Sequence, residues 1–474
     1  MTLRFRAGLL ALLSAAGLVG CSAGSTATQV GRPDDRSVII GTTGAPSSLD
    51  FTSTGGAAIP QALMGNVYET LVRVDDHGTV VPDLATRWDV SPDGKTYTFS
   101  LVEDKKFSNG DAFTASTAAY SITAVKEKWT NGLKAQMDVV DKAEAVNEHT
   151  LRVTLKRPSQ QWLWSMATLT GAMMTPNASP ADPVGTGPYV VDKFVPGSSI
   201  SFKGSGKSTM IRYFSDSVGS VNALRAGDID AVYALGSPEL LDTLPQKFHV
   251  ATGSTNGEVL LSMNNQRAPF NDVRVRQAVA YAIDRNAVNQ VVWNGLATDS
   301  GGAPVPPTDP WFPHRDYYPY NPAKARELLA AAGNPHVTIS VPTLPYAQNA
   351  SELIYSQLKA VGFDVKLESK EFPAVWLGDV MGRADYQMSL IAHVEARDIP
   401  TLFANPKGYL RYDNKTVQDE VSREDMPAAV DTIMADMPAL TVANLPNIVL
   451  TAPGVRGVPV TSPTGELRLA GIEK

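Results

Sequence analysis

The chain contains a single cysteine, Cys21, placed at the end of its first apolar run. No disulfide can form within it, and no thiolate cluster can hold a metal, so packing and hydrogen bonding must hold the fold. The run itself is AGLLALLSAAGLVG, 14 uncharged residues directly after Arg4 and Arg6. A short basic region followed by an apolar stretch of this length has the form of an export signal. It is too short for a comfortable membrane span.

Leu18-Val19-Gly20-Cys21 resembles the bacterial lipobox. That resemblance implies a signal over residues 1–20 and lipidation of Cys21, which becomes the first residue of the mature chain. Residues 22–36, SAGSTATQVGRPDDR, are small and polar and read as a flexible tether. No other stretch is long and apolar enough to span a bilayer. The expected location is the extracytoplasmic face of the cell membrane, held by lipid.

The remaining composition is that of a folded protein, with 43% hydrophobic and 19% charged residues among 474. The formal net charge is −7; loss of Arg4 and Arg6 with the signal leaves −9. An acidic chain without a Lys/Arg-rich run repels phosphates, so nucleic acid is excluded as a partner.

Strand and helix signals alternate. SVIIGTT (37–43), YTFSLV (97–102) and LRVTL (151–155) read as strands, and TASTAAYSITAVKEKW (114–129) as a helix capped by Thr114. NDVRVRQAVAYAIDRNAVNQVVW (271–293) reads as one helix with Asp272 as cap. NPAKARELLAAAG (321–333) has Asn321 to cap, Pro322 in the first turn and Gly333 to stop it. A helix ending at Gly362 is followed by a strand carrying Phe363, Val365 and Leu367. GGAPVPPTDPWFP (301–313) is a long loop packed by Trp311 and Phe312. The pattern is mixed α/β without an internal repeat.

SFKGSGKST (201–209) ends like a nucleotide-binding loop. That motif needs a glycine where Ser201 stands, and a helix afterwards. Met210, Arg212 and Phe214 instead alternate with Ile211 and Tyr213, while Ile200 and Phe202 alternate with polar residues. The expectation is two strands joined by a tight turn, with Lys207 a solvated turn residue.

Five separated segments carry a family resemblance: YETLVRVDDHGTVVPDLATRWDVSPDGKTYTFSLVEDKKFSNGDAFTAS (68–116), PVGTGPYVV (183–191), RAGDIDAV (225–232), MNNQRAPFNDVRVRQAVAYAIDR (263–285) and YNPAKARELLAAAG (320–333). In this order they are similar to the extracytoplasmic solute-binding proteins of peptide-class ABC importers, a family that includes dipeptide-, oligopeptide- and nickel-binding proteins. The resemblance runs from about residue 38 to 460. Relatives usually carry a longer insertion where the Gly-Ser-Gly turn stands here.

The resemblance implies a two-lobed α/β periplasmic-binding-protein-like fold of class II. Lobe I would hold 37–255 and 445–474, with an inserted subdomain at about 61–175, and lobe II would hold 256–444. It implies hinge closure around a short peptide or similar small solute, and delivery to membrane permease subunits powered by a separate ATPase. It implies no enzymatic activity and no cofactor, and family members of this kind are usually monomers.

The ligand is where this chain departs from its relatives. In dipeptide-binding relatives an Arg before a Pro-Tyr pair grips the peptide carboxylate; here Leu344 precedes Pro345-Tyr346. The same relatives present a Trp and, three residues on, an Asp for the amino terminus; here His393 and Ala396 fall at those positions. Glu395, Arg397 and Asp398 lie beside them. Shifted by one residue, Glu395 could pair an ammonium and Arg397 a carboxylate. HVEARD ends a strand-like YQMSLIA, a place where charged groups fix ligand orientation, although a solvated loop with a salt bridge has the same sequence.

Tyr346 is a candidate contact by its motif position. Trp162 and Trp164, two apart and so on one face if extended, could wall the cleft or pack in the core; Trp376 raises the same choice. The six histidines, at 77, 149, 249, 314, 336 and 393, show no paired spacing, so a bare metal site is not expected. A metal chelate held by Arg and aromatics stays open. So does a regulatory envelope protein that has lost transport, which a cleft blocked by Leu344 or Arg397 would favour. No G-x-S-x-G, cysteine nucleophile or metal signature supports an enzyme.

Overall fold

The computed structural model describes residues 37–179, 181–204, 207–330, 332–333 and 335–474. The expected signal, Cys21, the tether and turn residues 205 and 206 lie outside the described residues, as does the side chain of Lys207.

A ten-stranded sheet runs through the molecule. Its order is Asp364–Lys370, His336–Pro342, Met388–His393, His249–Met263, Ala439–Thr451, Ala231–Val232, Val38–Thr42, Lys207–Tyr213, Ser199–Gly204 and Tyr189–Val195. Val38–Thr42 is buried at every position, as a β-branched strand covered on both faces should be. It lies parallel to Lys207–Tyr213 on one side and to Ala231–Val232 on the other.

The chain builds its two largest hydrophobic cores at the two ends of this sheet, beside a smaller one around Ile39, Leu224 and Leu450. One contains Ile40, Phe51, Leu63, Phe99, Trp129, Ile211 and Leu467, drawn from both ends of the described sequence. The other contains Leu261, Val279, Ile339, Ile354, Leu390 and Leu440 and draws only on residues 259–443. Two long antiparallel strands pass between them. His249–Ser254 faces Pro446–Thr451 at the first core, and Glu258–Ser262 faces Ala439–Asn444 at the second. The register breaks between Ser254 and Glu258. There Thr255 Oγ1 donates to Leu445 O at 2.9 Å and accepts from Gly257 N at 2.9 Å.

Against the first core sits a four-stranded antiparallel sheet ordered Ala85–Val90, Thr96–Leu101, Thr150–Leu155, Val140–Asn147. Tyr97, Phe99 and Leu101 alternate into its buried face. The helix Ala115–Lys128 packs on it and starts in a capping box between Thr114 and Thr117.

Ser199–Gly204 and Lys207–Tyr213 are antiparallel, with Lys207 opposite Gly204, and no helix follows the glycines. Gly204 has φ +152°, and a Cβ on it would lie 2.1 Å from Pro188 O.

The expected single helix over 271–293 is two, Val273–Ala282 and Arg285–Trp293. Ile283 is extended, and the Asp284 side chain caps the second helix by accepting from Ala287 N at 3.0 Å. Arg285, 4% exposed, donates to Asp299, Asp316 and the Tyr318 carbonyl, which fixes the break. Apolar periodicity carried across the break and hid it. The helix Pro345–Val361 ends at Gly362 with φ +114° and leads into Asp364–Lys370.

Candidate functional site

A cavity of about 1020 Å³ lies between the two cores, walled on one side by residues such as Ser159, Trp164 and Thr170 and on the other by Glu395, Arg397 and Asp398. The strand Met388–His393 delivers the second group. Its side chains are buried almost throughout, and the chain leaves the sheet after His393 into a turn over 394–398. Arg397 takes a left-handed conformation, φ +56°, and the short helix Ile399–Leu402 follows. The turn therefore projects three charged side chains from the end of a rigid strand.

Antiparallel pairing sets His393 opposite Glu258 on the neighbouring strand. Glu258 is 2% exposed, and no N–H or hydroxyl donor reaches its Oε2 among the described residues. Burial, reinforced by the nearby Asp398 and Asp309 carboxylates, pushes its carboxyl well above the usual range. No N–H or hydroxyl donor reaches Asp398 Oδ2 among the described residues; its carboxyl faces that of Glu258, and the two hydrogen-bond each other when one is protonated. Burial, followed by repulsion from Glu395, pushes the Asp398 carboxyl up to about 8. The His393 ring is buried with Nε2 2.8 Å from Tyr409 Oη and Nδ1 3.9 Å from Asp398 Oδ2. Burial lowers the imidazole to about 4, so it is neutral at pH 7. Tyr409 Oη is in turn 2.7 Å from Ser262 Oγ, which fixes the ring's far side.

Ligating atoms of His393, Glu395 and Asp398 lie within 4.8 Å of one another. This end of the cavity gathers carboxyls without a Lys or Arg of their own among the described residues. An arriving cation restores the charged forms that burial disfavours, so an ammonium or a metal complex suits it chemically.

Arg397 does not join that cluster. Its Nε donates to Asp309 Oδ1 at 2.9 Å, and its guanidinium lies 4.4 Å from the Trp164 ring centre and 4.7 Å from that of Trp311. Burial lowers the guanidinium and raises the Asp309 carboxyl, while each partner opposes the other's shift. The planar cation is thus held by an ion pair and two aromatic faces, a combination that lysine could not reproduce.

Trp162 and Trp164 stand on a helix, Gln160–Ser165, rather than on a strand. Ser159 caps that helix by accepting from Trp162 N at 3.0 Å. Residues two apart on a helix point to different faces, so the two tryptophans separate. Both border the cavity, but Trp162 packs against Tyr97 and Phe99 with ring centres 5.0 and 6.2 Å away. Trp164 carries Arg397. Tyr346 does not line the cavity: its hydroxyl accepts from Ala392 N at 2.9 Å, behind the strand that delivers the site. Leu344 packs on the second core, and Trp376 is core, with Nε1 donating to Ser389 Oγ at 3.0 Å. His393 stands beside the cavity-lining Asp398 without lining the cavity itself.

Sequence reasoning missed Glu258, Asp309 and Glu424. Glu258 had a signal, a carboxylate heading the apolar run EVLLSM. Asp309 sits in the Pro-rich loop, and Glu424 in a polar turn, where nothing local distinguishes them.

Two cores, two crossing strands and a charged cavity between them define a bilobal solute-binding protein. The sequence comparison agrees: the family of bacterial extracellular solute-binding proteins, family 5, matches residues 79–406, and the chain belongs to it. It is a binding protein of the ABC-importer class and not an enzyme. The glutathione-binding protein GsiB of Pectobacterium atrosepticum is 30% identical over 382 residues, covering 74% of this chain and 73% of that protein. The nickel-binding periplasmic protein of Escherichia coli is 28% identical over 366 residues, covering 67% and 68%. Among solved structures, the periplasmic binding protein DppA of Helicobacter pylori in complex with peptide STSA superposes with a TM-score of 0.74 at 22% identity, covering 92% of this chain and 97% of that one. No helix among the described residues is long and apolar enough to cross a membrane.

Proposed function

We propose that the chain captures a short peptide between its lobes and delivers it to a membrane permease. Lobe I comprises 37–255 and 445–474, with the subdomain at about 61–175 inserted, and lobe II comprises 256–444. Closure occurs about the register break near Thr255–Gly257 and Leu445–Pro446. Cys21 tethers the protein to the membrane by lipid, and the protein works as a monomer.

The observation that carries this reading is a cavity of about 1020 Å³ with the Glu395 and Asp398 carboxyls on its wall, neither of them ion-paired to a Lys or Arg among the described residues, and the basic side chains of Lys156 and Arg157 also on its wall. Such a cavity suits a zwitterion larger than a single amino acid. The amino terminus is assigned to Glu395 and Asp398, and Trp164 supplies an apolar wall. Tyr346 and His393 act from behind, by holding the strand and turn in place, and Trp162 is a packing residue. Leu344 packs on the second core and not in the cavity, and about 1020 Å³ stays open beside Arg397, which counts against the regulatory alternative.

The test is thermal unfolding of residues 22–474 with pools of peptides two to five residues long. Peptide at about 100 times its Kd adds about 2.7 kcal/mol, a readily measured rise in Tm. No rise from any pool, with protein freed of carried-over solute, would sink the peptide reading. A second reading, a metal chelate, is favoured by the grouping of His393, Glu395 and Asp398. Ni²⁺ with free histidine is its probe in the same assay, with Ni²⁺ alone as the control.

A further inference from the structure

The two walls of the cleft also touch each other directly, through protein groups alone. Glu424 lies in the turn between the helices Lys415–Ser422 and Met426–Asp436, in a left-handed conformation with φ +58°. From there its carboxylate reaches the opposite wall. Oε1 accepts from Ser159 Oγ at 2.5 Å, and Oε2 accepts from the backbone amides of Gln160 and Gln161 at 2.6 and 3.2 Å. Arg157 Nη1 stands 3.8 Å from the same carboxylate. Arg397 makes the second bridge, with its guanidinium between Trp164 of one wall and Trp311 and Asp309 of the other. The third is backbone: the turn at Gly78 lies so close to the 301–313 loop that a Cβ there would be 2.3 Å from Thr308 O.

The two side-chain bridges satisfy polar and charged groups that an open cleft would leave to water, and the third is close backbone packing. None needs a solute. Arg397 fills the space between two tryptophans as a ligand's cationic side chain would, but is covalently attached. Any contact made only in the closed state shifts the opening equilibrium by its full differential free energy, whether or not the cavity is occupied.

We propose that Glu424 and Arg397 form an intramolecular latch that holds the cleft closed without solute, with Arg397 serving as a built-in ligand between Trp164 and Trp311. They are positioning residues: they set the affinity for solute through the closing equilibrium and slow its exchange. The proposal rests on the hinge described above but not on the identity of the solute.

The test uses single-molecule energy transfer between dyes at Val146→Cys and Val291→Cys, exposed sites on opposite lobes, in a Cys21→Ser background. Protein is refolded from denaturant to strip bound solute, and its absence is checked by mass spectrometry. The expected result is a dominant high-transfer population in solute-free protein. Glu424→Ala with Arg397→Gln should move most molecules to lower transfer, and Glu424→Gln alone should move a fraction. Circular dichroism and a urea midpoint confirm that each variant is folded. A solute-free protein found mainly open overturns the latch, and this arm needs no variant. So does a folded double variant that remains closed. Peptide added to the opened variant separates the two ideas: renewed closure supports peptide capture whatever becomes of the latch.

Discussion

The Glu424 carboxylate and the Ser159 hydroxyl meet at 2.5 Å although 265 positions separate them in sequence. When the cleft opens, both groups find water. Glu424→Ala should therefore change global stability by less than about 1 kcal/mol, because the unlatched state stays folded. The solute dissociation rate should rise by roughly 5- to 30-fold, the factor that about 1–2 kcal/mol of lost closure supplies. Urea unfolding and stopped-flow release with a fluorescent peptide measure the two quantities. A large stability loss with unchanged release would contradict this account.

The two tryptophans of Gln160–Ser165 should behave differently. Trp162→Ala removes a ring packed on Tyr97 and Phe99 and should cost about 3–5 kcal/mol in urea unfolding. Trp164→Ala leaves Arg397 with one aromatic face and should cost less. It should weaken solute affinity more, since Trp164 borders the cavity beside Arg397.

Asp398→Asn should reduce affinity for an amino-terminal peptide at least about 10-fold, consistent with the strength of charge-assisted hydrogen bonds. Stability without solute should be unchanged or higher at pH 7, because the substitution removes a carboxyl that burial already holds up to about 8. Calorimetric titration against a peptide and its amino-acetylated form separates the terms. Equal loss for both peptides would place the amino group elsewhere.

Gly78→Ala should push apart the turn and the 301–313 loop. The position has φ +78°, and the added Cβ meets the Thr308 carbonyl, which cannot rotate away as a side chain could. A stability loss of about 1–3 kcal/mol is expected, with a more expanded profile in small-angle scattering. Gly110→Ala is a useful control: its φ is also positive, at +93°, but nothing lies within 4 Å of the added carbon.

Asp284→Ala should cost about 1 kcal/mol of stability by removing the cap of Arg285–Trp293. If the helices instead fused, helicity by circular dichroism would rise.

Local chemistry made much of the fold legible. Thr114, Asn321 and Gly362 mark helix ends where their caps are found, and the strands expected on either side of residues 205 and 206 pair antiparallel. The break at Asp284 was hidden because Val279 and Val288 keep apolar side chains coming on both sides of it. The site was half legible. The charges of 393–398 drew attention because they follow a strand, whereas the partners of Arg397 come from 164, 309 and 311. Those positions meet only through tertiary packing, and no spacing in a single sequence encodes such a meeting.

Asn66 shows what the shared sheet demands of folding. Its side-chain amide donates to Leu467 O at 2.8 Å and its oxygen accepts from Leu469 N at 2.9 Å, contacts 401 and 403 positions apart. The strand Ala439–Thr451 likewise lies next but one to Val38–Thr42. A chain emerging from its N-terminus can complete the 259–443 core from contiguous sequence, but the earlier core must wait for the last segment to arrive. The order of synthesis and the order of consolidation are therefore opposed, and the half made first is exposed longest to proteases and to aggregation.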